Sequence, residues 1–367
     1  MLPPSTPPNS VCLLRLSAIG DTCHVVPLLR TLQHAWPNTH FTWVIGRAEA
    51  KLMGLLPEIE FITLNKRAGL SGLRQFKNIM SGRHFDILLH LQLSLRASLL
   101  AWQIPARIKL GFDRARASEG QWLFTNAQIN VRTREHVLDS FMGFATSLGI
   151  SEARYEWALP LSEAALQYAA QLIPSTVDAP ISSQLSKYLL PTLIISPCSS
   201  HVMRNWRPER YAAVAVHAIT EHGMSVILTG GPGDIERKMA SAILAACPIE
   251  HRKHIINQVG KDTLPEMLAL LSRARVLIAP DTGPAHMATL VGTPVIGLYA
   301  ATNPARSGPY HSRAWCIDAF GRAAAKFLNS TPEHLPWVCK IEQAGVMDLI
   351  TVQEVCHQLD RLLKYKP

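Results

Sequence analysis

Short apolar runs alternate with amphipathic stretches along this chain, and the alternation occurs twice. The first series of strand-sized runs lies at about residues 11–17, 39–45, 60–64, 85–91 and 106–110. The second series lies at residues 192–196, 224–230, 254–258, 275–280 and 294–300. Strands that alternate with helices pair in parallel. The sequence therefore predicts an α/β fold made of two doubly wound, Rossmann-like domains.

The domain boundaries are placed where the pattern stops and restarts. We expect an N-terminal domain over residues 11–160, a linker region over 161–190 and a C-terminal domain over 191–349. The linker region holds one predicted helix, SEAALQYAAQLI, followed by a polar, proline-marked stretch. Ligands of doubly wound sheets bind at the carboxyl ends of the strands, so two such domains predict a ligand cleft lined by strand-to-helix turns.

Composition excludes several classes of protein. The apolar runs are far shorter than the roughly 18 residues of a membrane span, and the first ten residues, MLPPSTPPNS, lack the features of an export signal. The seven cysteines are scattered and never form a Cys-x-x-Cys pair, which argues against a disulfide framework and a structural zinc site. We expect a cytoplasmic protein with reduced thiols.

The chain is basic, with a formal net charge of +9, and the excess is concentrated in its first half. Residues 11–150 carry 16 Lys and Arg against 9 Asp and Glu. A positive electrostatic field of this kind attracts nucleic acid, anionic lipid headgroups or a phosphorylated substrate. The alternative is that the basic residues form a solvated surface with no dedicated partner. Because stacking aromatics are not interleaved with the basic residues, nucleic-acid binding is not expected.

The first candidate site is the turn after the first predicted strand, in the stretch LSAIGDTCHVVPLLRTLQ. Asp21 follows Gly20 there and precedes a helix whose apolar face is formed by Val25, Leu28, Leu29 and Leu32. Aspartate is among the best N-cap residues, so Asp21 is explained by capping alone. The alternative is that its carboxylate points to the ligand edge and acts as a general base.

A second candidate is the loop SPCSSHVMRNWRPERY, which follows the first strand of the second domain. Ser199 and Ser200 offer hydroxyl donors, and Arg204 offers a planar cationic fork, as a bound phosphate requires. The alternative is an ordinary helix-entry loop with Pro208 in the first turn.

The third candidate is the stretch that begins APDTGPAH. A helix that starts at Thr282 and Gly283 turns its free N–H groups and positive dipole end toward the ligand edge, which favours an anion. Asp281 can orient that turn. The alternatives are an ordinary Asp-Thr-Gly cap and, for His286, a role in packing.

The fourth candidate, LTGGPGDIERK, places Glu236 one turn into a helix after a glycine-rich strand end. It departs from the G-x-G-x-x-G pattern of nicotinamide-binding proteins. Glu236 could accept hydrogen bonds from ribose hydroxyls, or it could only stabilise the helix dipole.

Taken together and in this order, the four motifs resemble those of glycosyltransferase family nine, the ADP-heptose:lipopolysaccharide heptosyltransferases. The resemblance extends from about residue 11 to residue 360, and the stretch from Asp281 to Tyr310 carries the most specific part. It implies a GT-B architecture, with an N-terminal acceptor domain and a C-terminal domain that binds the ADP-sugar. It also implies that the last helix, near residues 350–365, packs back on the N-terminal domain.

The resemblance implies inverting transfer of heptose from ADP-L-glycero-β-D-manno-heptose to the Kdo region or inner core of lipopolysaccharide, without a metal or other cofactor. Asp21 would be the catalytic base. The donor would be bound by Ser199, Ser200, Arg204, Glu236, Asp281, Thr282, Gly283 and His286. The acceptor would be bound by Gly20, Arg67, Arg96 and Arg114. The implied enzyme is a monomer that meets its lipid-linked acceptor at the cytoplasmic face of the inner membrane.

Two departures from the family pattern keep alternatives open. The first is at Arg204, where lysine often stands, and in the same segment Arg207 is an extra residue between Trp206 and Pro208. The second is ATNP at residues 301–304, where Gly or Pro often precedes the Thr-x-Pro. The alternatives are a family member with another acceptor, such as another core sugar or a protein serine, and a nucleotide-binding module that has lost catalysis.

Overall fold

The computed structural model describes residues 3–65, 69–174 and 190–365. It divides into two compact units, Met1–Pro160 and Leu161–Pro367. Each unit is a parallel sheet flanked by helices, which confirms the predicted α/β class.

The first unit contains a six-stranded sheet. Its strands are β1 (Ser10–Leu14), β2 (His40–Gly46), β3 (Ile59–Leu64), β4 (Phe85–His90), β5 (Ala106–Gly111) and β6 (Ala127–Gln128). Its helices are α1 (Ile19–Ala35), α2 (Arg47–Met53), α3 (Gly69–Met80), α4 (Leu95–Gln103) and α5 (Val137–Ser147). The strand order β3-β2-β1-β4-β5-β6 is that of a Rossmann fold, so its topological switch point lies between β1 and β4.

The second unit repeats this plan. Its strands are β7 (Thr192–Ile195), β8 (Ser225–Leu228), β9 (Ile255–Asn257), β10 (Val276–Pro280), β11 (Val295–Tyr299) and β12 (Ile317–Asp318). The helices are α6 (Glu163–Leu172), α7 (Pro208–His222), α8 (Asp234–Ala246), α9 (Ile249–Arg252), α10 (Leu264–Arg273), α11 (Gly283–Leu290), α12 (Pro304–Ser307), α13 (Phe320–Leu328) and α14 (Val352–Lys364). The strand order is β12-β11-β10-β7-β8-β9, which places the switch point between β7 and β10.

The central strands are buried on both faces, which explains why they are nearly continuous apolar runs in the sequence. Leu13 in β1, Ile194 in β7 and Ile278 in β10 have no exposed surface. Among the described residues, no helix combines the length and the apolar character that a bilayer crossing requires.

The predicted linker region does not separate the units as expected. Its helix, α6, packs against α10 in the second unit, and Arg273 Nη1 donates a hydrogen bond to the Ile173 carbonyl at 3.2 Å. The apolar side of α6 and the apolar stripe of α10 bury each other, so residues 161–173 belong to the second unit. Residues 175–189 of that region lie outside the described residues.

The resemblance implies that the last helix packs on the N-terminal domain, and the structure shows its buried face packed within the second unit. Helix α14 contacts α7, β11 and β12 within the second unit. Its Val355, Leu359 and Leu362 recur at helical spacing and are buried in the same core as Trp206. The apolar stripe of α14 is therefore buried within its own unit.

Candidate active site

The first sheet carries a carboxylate beside its switch point. Asp21 lies in the first turn of α1, and its side chain is 33% exposed. The N-cap of α1 is Ala18, whose N–H donates to Asp21 Oδ2 at 3.3 Å, so Asp21 caps the N-cap backbone from the first turn and is not the N-cap itself. Arg15 also donates to Oδ2, through Nη2. Both contacts use one oxygen, and Oδ1 has no hydrogen-bond partner among the described residues.

Arg15 is held by the strand on the other side of the switch point. It directly follows β1, and its Nη1 donates to the Leu91 carbonyl, just past β4, at 2.6 Å. The next side chain along that segment, Gln92, accepts a hydrogen bond from the Leu16 N–H at 2.7 Å. The loops after β1 and β4 thus fix Arg15, which in turn fixes the orientation of Asp21.

In the second unit, an arginine lies at the corresponding sheet edge. Arg204 ends a short 3-10 turn after β7 and is 12% exposed. Its Nε and Nη2 donate to Glu342 Oε1 at 2.8 and 2.6 Å, and its Nη1 lies 3.7 Å from Asp281 Oδ2. Because Asp281 directly follows β10, the structure brings together two of the turns that the sequence singles out.

Asp281 is the most enclosed carboxylate of this group. Burial alone raises its pKa, but His286, Arg204 and Thr302 outweigh burial and hold the pKa below its usual value. His286 Nε2 lies 3.8 Å from Oδ1, and the Ser307 hydroxyl donates to Oδ2 at 3.4 Å. Asp281 is therefore ionised at neutral pH and anchors the turn that leads into α11.

Helix α11 begins directly beside this ion pair. Thr282 is its N-cap and makes no side-chain hydrogen bond to the first turn, Gly283 is its first residue, and Pro284 follows. The positive end of the helix and the guanidinium of Arg204 thus both adjoin Asp281. Backbone N–H groups next to a guanidinium suit an anion with several charged oxygens, such as a diphosphate.

Glu236 lies over the glycine-rich turn after β8. It is in the first turn of α8, where a Cβ added to Gly233 would collide with its Oε2. Burial and the negative charge of Glu236 together raise the pKa of the Cys198 thiol to about 12. Cys198 follows β7 and Glu236 follows β8, which is the neighbouring parallel strand. The carboxylate therefore lies at the same sheet edge as Cys198.

The two serines of the second motif do not converge on the arginine. The Ser199 hydroxyl donates to the His201 carbonyl at 2.9 Å, and the Ser199 N–H donates to Asn205 Oδ1 at 2.7 Å. Ser200 is exposed. Ser199 thus stabilises the loop that presents Arg204.

The predicted acceptor residues lie in the first unit. Gly20 is buried in the first turn of α1. Arg96, in the first turn of α4, lines a cavity of about 420 Å³ together with Arg47. Arg114 stacks on the ring of Trp122 at 4.9 Å, in the loop after β5. Both arginines follow the carboxyl end of a strand, on the same edge as Asp21, whereas Arg67 lies outside the described residues.

Sequence reasoning missed Arg15 and Glu342. Arg15 had a signal, since it is a charged residue at the end of an otherwise apolar run, VCLLRLSA. Glu342 had none, because it lies in an irregular segment 138 residues from the arginine that it binds.

Comparison with known proteins agrees with this architecture. The model of glycosyltransferase family 9 (heptosyltransferase) matches residues 73–335. The chain is 36% identical to the lipopolysaccharide core heptosyltransferase OpsX of Haemophilus influenzae, over 97% of both chains. A solved family 9 glycosyl transferase from Veillonella parvula is 23% identical, with a TM-score of 0.74 over 97% of both chains.

A second solved structure is similar in fold and contains a sugar nucleotide analogue. It is the Escherichia coli heptosyltransferase WaaC with ADP-2-deoxy-2-fluoro heptose, which is 18% identical, with a TM-score of 0.64 over 87% of this chain and 99% of WaaC. The family match covers most of the chain, and the full-length relative exceeds 30% identity. The chain therefore belongs to glycosyltransferase family 9, the heptosyltransferases.

Proposed function

We propose that this enzyme transfers heptose from ADP-L-glycero-β-D-manno-heptose to the Kdo region or inner core of lipopolysaccharide, with inversion at the anomeric carbon. The relative OpsX is a lipopolysaccharide core heptosyltransferase, which supports lipopolysaccharide core as the acceptor class. The observation that carries the mechanism is the free oxygen of Asp21, a carboxylate held in place through its other oxygen by Arg15 and the Ala18 N–H.

In the proposed step, Asp21 Oδ1 accepts the proton of the acceptor hydroxyl. The hydroxyl oxygen forms a bond to the anomeric carbon as the bond from that carbon to the β-phosphate oxygen breaks, and the electron pair leaves with ADP. A carboxylate is a weak base at neutral pH. It suffices here because the hydroxyl becomes acidic as its new bond forms.

The departing diphosphate is stabilised by Arg204 and by the Gly283 N–H at the positive end of α11. Charge-assisted hydrogen bonds contribute roughly 1.5–3 kcal/mol each, so two or three of them replace a divalent cation at the phosphates. Glu236 accepts hydrogen bonds from the ribose hydroxyls, and Asp281 with His286 orients the turn beside the diphosphate. We expect no metal requirement for transfer, so the rate in excess EDTA equals the untreated rate.

The acceptor is bound by the first unit. Arg96 and Arg114 attract the carboxylates and phosphates of a Kdo-lipid A precursor, and we include Arg67 in the same role. Gly20 lets the acceptor approach the backbone beside Asp21. The enzyme acts as a monomer that contacts the cytoplasmic face of the inner membrane peripherally.

The test is an assay of ADP release with ADP-heptose and a panel of truncated lipopolysaccharide acceptors, with the products identified by mass spectrometry. We expect addition of one heptose to a Kdo-containing acceptor. Transfer only to another core sugar or to a protein serine would support a different acceptor. Binding of ADP-heptose without any product would support a non-catalytic module.

Asp21→Asn separates the general base from the helix cap. We expect kcat to fall by about 10²- to 10⁴-fold, the usual contribution of general-base catalysis, while the affinity for ADP stays the same. Glu354→Gln is the matched control, because Glu354 also caps an N-cap backbone from the first turn, at Thr351, and also pairs with an arginine, Arg322. If the Asp21→Asn enzyme is as active as Glu354→Gln, Asp21 is not the general base and has only a capping role.

A further inference from the structure

Two histidines and one carboxylate converge on the surface where α7 meets α14, away from the residues described above. His217 and His222 lie on α7, and Asp360 lies on α14. Each histidine has its Nε2 2.7 Å from the same atom, Asp360 Oδ1. The ligand atoms of the three side chains all lie within 4.8 Å of one another.

The donor set and its spacing match a transition-metal site. Imidazole nitrogen and carboxylate oxygen bind Zn²⁺ at about 2.0–2.2 Å, and a tetrahedral ion with such bonds holds its ligand atoms about 3.3 Å apart. The two nitrogens are already 2.7 Å from the oxygen, so a small outward rotation of the rings admits an ion. The side chains are 21–33% exposed, which leaves water access to a fourth coordination position.

We propose that His217, His222 and Asp360 bind one divalent transition-metal ion of the Zn²⁺ class. Each ligand comes from an ordered helix, so the site is preformed and binding requires little rearrangement. Three protein ligands leave the fourth tetrahedral position of the ion to water.

The metal would fasten α14 to α7. The two helices are joined through ligands 143 residues apart in the chain. Arg204 lies just before α7 and Glu342 lies before α14, and the two side chains form an ion pair beside β10. His217 is nine residues into α7, about 14 Å along the helix from its start. The metal therefore has a structural role and takes no part in transfer, so this inference does not rest on the proposed function.

The test uses the full-length enzyme, stripped of metal with EDTA and desalted, then titrated with Zn²⁺ by calorimetry and with Co²⁺ by visible absorption. We expect one site per chain and a higher unfolding temperature with Zn²⁺. The Co²⁺ complex should show ligand-field bands without the thiolate charge-transfer band that cysteine ligands would add.

His222→Ala and Asp360→Asn should each weaken Zn²⁺ binding by at least about 10-fold, since even outer-shell changes weaken metal affinity by that much. Asp360→Asn keeps a hydrogen-bond acceptor for the histidines and guards against loss of folding. His357→Ala, an exposed histidine on the same helix, should bind like the wild type. The proposal is overturned if the wild type binds Zn²⁺ no better than His217→Ala/His222→Ala, because the cluster is then only an ion pair. It is overturned equally if the thiolate band accompanies binding.

Discussion

Arg15 and Arg204 each follow the first strand of their sheet, and Arg15 pairs with one carboxylate, Asp21, whereas Arg204 pairs with two, Glu342 and Asp281. Both guanidinium groups are nearly enclosed, at 12% exposure. An ion pair that is shielded in this way depends strongly on both partners, because loss of one leaves a poorly solvated charge. Single substitutions at these pairs should therefore have large and specific effects.

Glu342→Gln tests whether this carboxylate positions Arg204. A neutral amide holds a guanidinium less tightly than a carboxylate does, by a difference of about 1–1.5 kcal/mol. We expect kcat/KM for the ADP-sugar to fall about 10-fold in steady-state assays, through a higher KM and a lower kcat, because Arg204 both binds the diphosphate and stabilises it as it departs.

Glu342→Asp should restore part of the affinity, whereas Glu250→Gln, at an exposed carboxylate on α9, should behave as the wild type. A kcat/KM equal to that of the wild type would contradict a positioning role for Glu342.

Asp21, Arg204 and Asp281 could be singled out from the sequence because each follows a predicted strand, where parallel sheets collect their ligands. What the sequence could not show is which of these groups meet. Ser199 looked like a phosphate ligand, but its hydroxyl is bound within its own loop. Glu342 escaped notice because contacts between distant segments leave no local pattern.

At the scale of elements, Glu60 ties strand β3 to its neighbours. Its Oε2 accepts from the Thr42 hydroxyl on β2 at 2.9 Å, and Arg83, just before β4, pairs with Oε1 at 2.7 Å. The hydrogen bond and charge of Arg83, together with Thr42 and His40, outweigh partial burial and lower the pKa of Glu60 from 4.5 to about 2.

Glu60→Gln should therefore destabilise the protein in a pH-dependent way. Because the folded pKa is lowered, the stabilisation is complete above about pH 4.5 and is lost as the pH falls toward about 2. We expect the urea midpoint of the variant to lie below that of the wild type at neutral pH, by the equivalent of about 1 kcal/mol, and the two to converge in acid. Glu152→Gln, at an exposed carboxylate, provides the control, and a difference that persists at pH 2 would contradict the assignment.

Leu359→Ala tests where α14 is packed. Leu359 is fully buried in the core of the second unit, so truncation should lower the free energy of urea unfolding by about 2–5 kcal/mol. His357→Ala, on the exposed side of the same helix, should change it by less than about 0.5 kcal/mol. A loss below about 1 kcal/mol for Leu359→Ala would place α14 outside this core.

The helical spacing of Val355, Leu359 and Leu362 predicts an amphipathic helix, and the structure contains it. The spacing identifies a buried face but not the surface that covers it, and in the structure that surface is the core of the second unit. The two-residue strands β6 and β12 were missed because no periodicity can be read from two residues. Parallel pairing followed from the alternation, but strand order depends on contacts between distant segments.

At the scale of the whole molecule, the net charge of +9 should control encounter with an anionic acceptor. Screening shortens the reach of surface charges to about 8 Å at physiological ionic strength. We expect the KM for the Kdo-containing acceptor to rise about 10-fold from low to physiological salt, with kcat constant.

Sucrose at equal osmolality provides the control, because it changes water activity without screening charge. A KM that does not respond to salt would show that the basic first half does not steer the acceptor.

The contact between α7 and α14 has a consequence for biosynthesis. A ribosome completes the first unit long before the second, and domains synthesised first generally fold first. The second unit, by contrast, keeps part of its apolar core exposed until α14 emerges, and Asp360 on α14 is 143 residues after His217 on α7. During synthesis, the nascent chain therefore has a folded first unit and an incomplete second unit for a long interval. The exposed apolar core of the second unit is then prone to aggregation and open to chaperone binding.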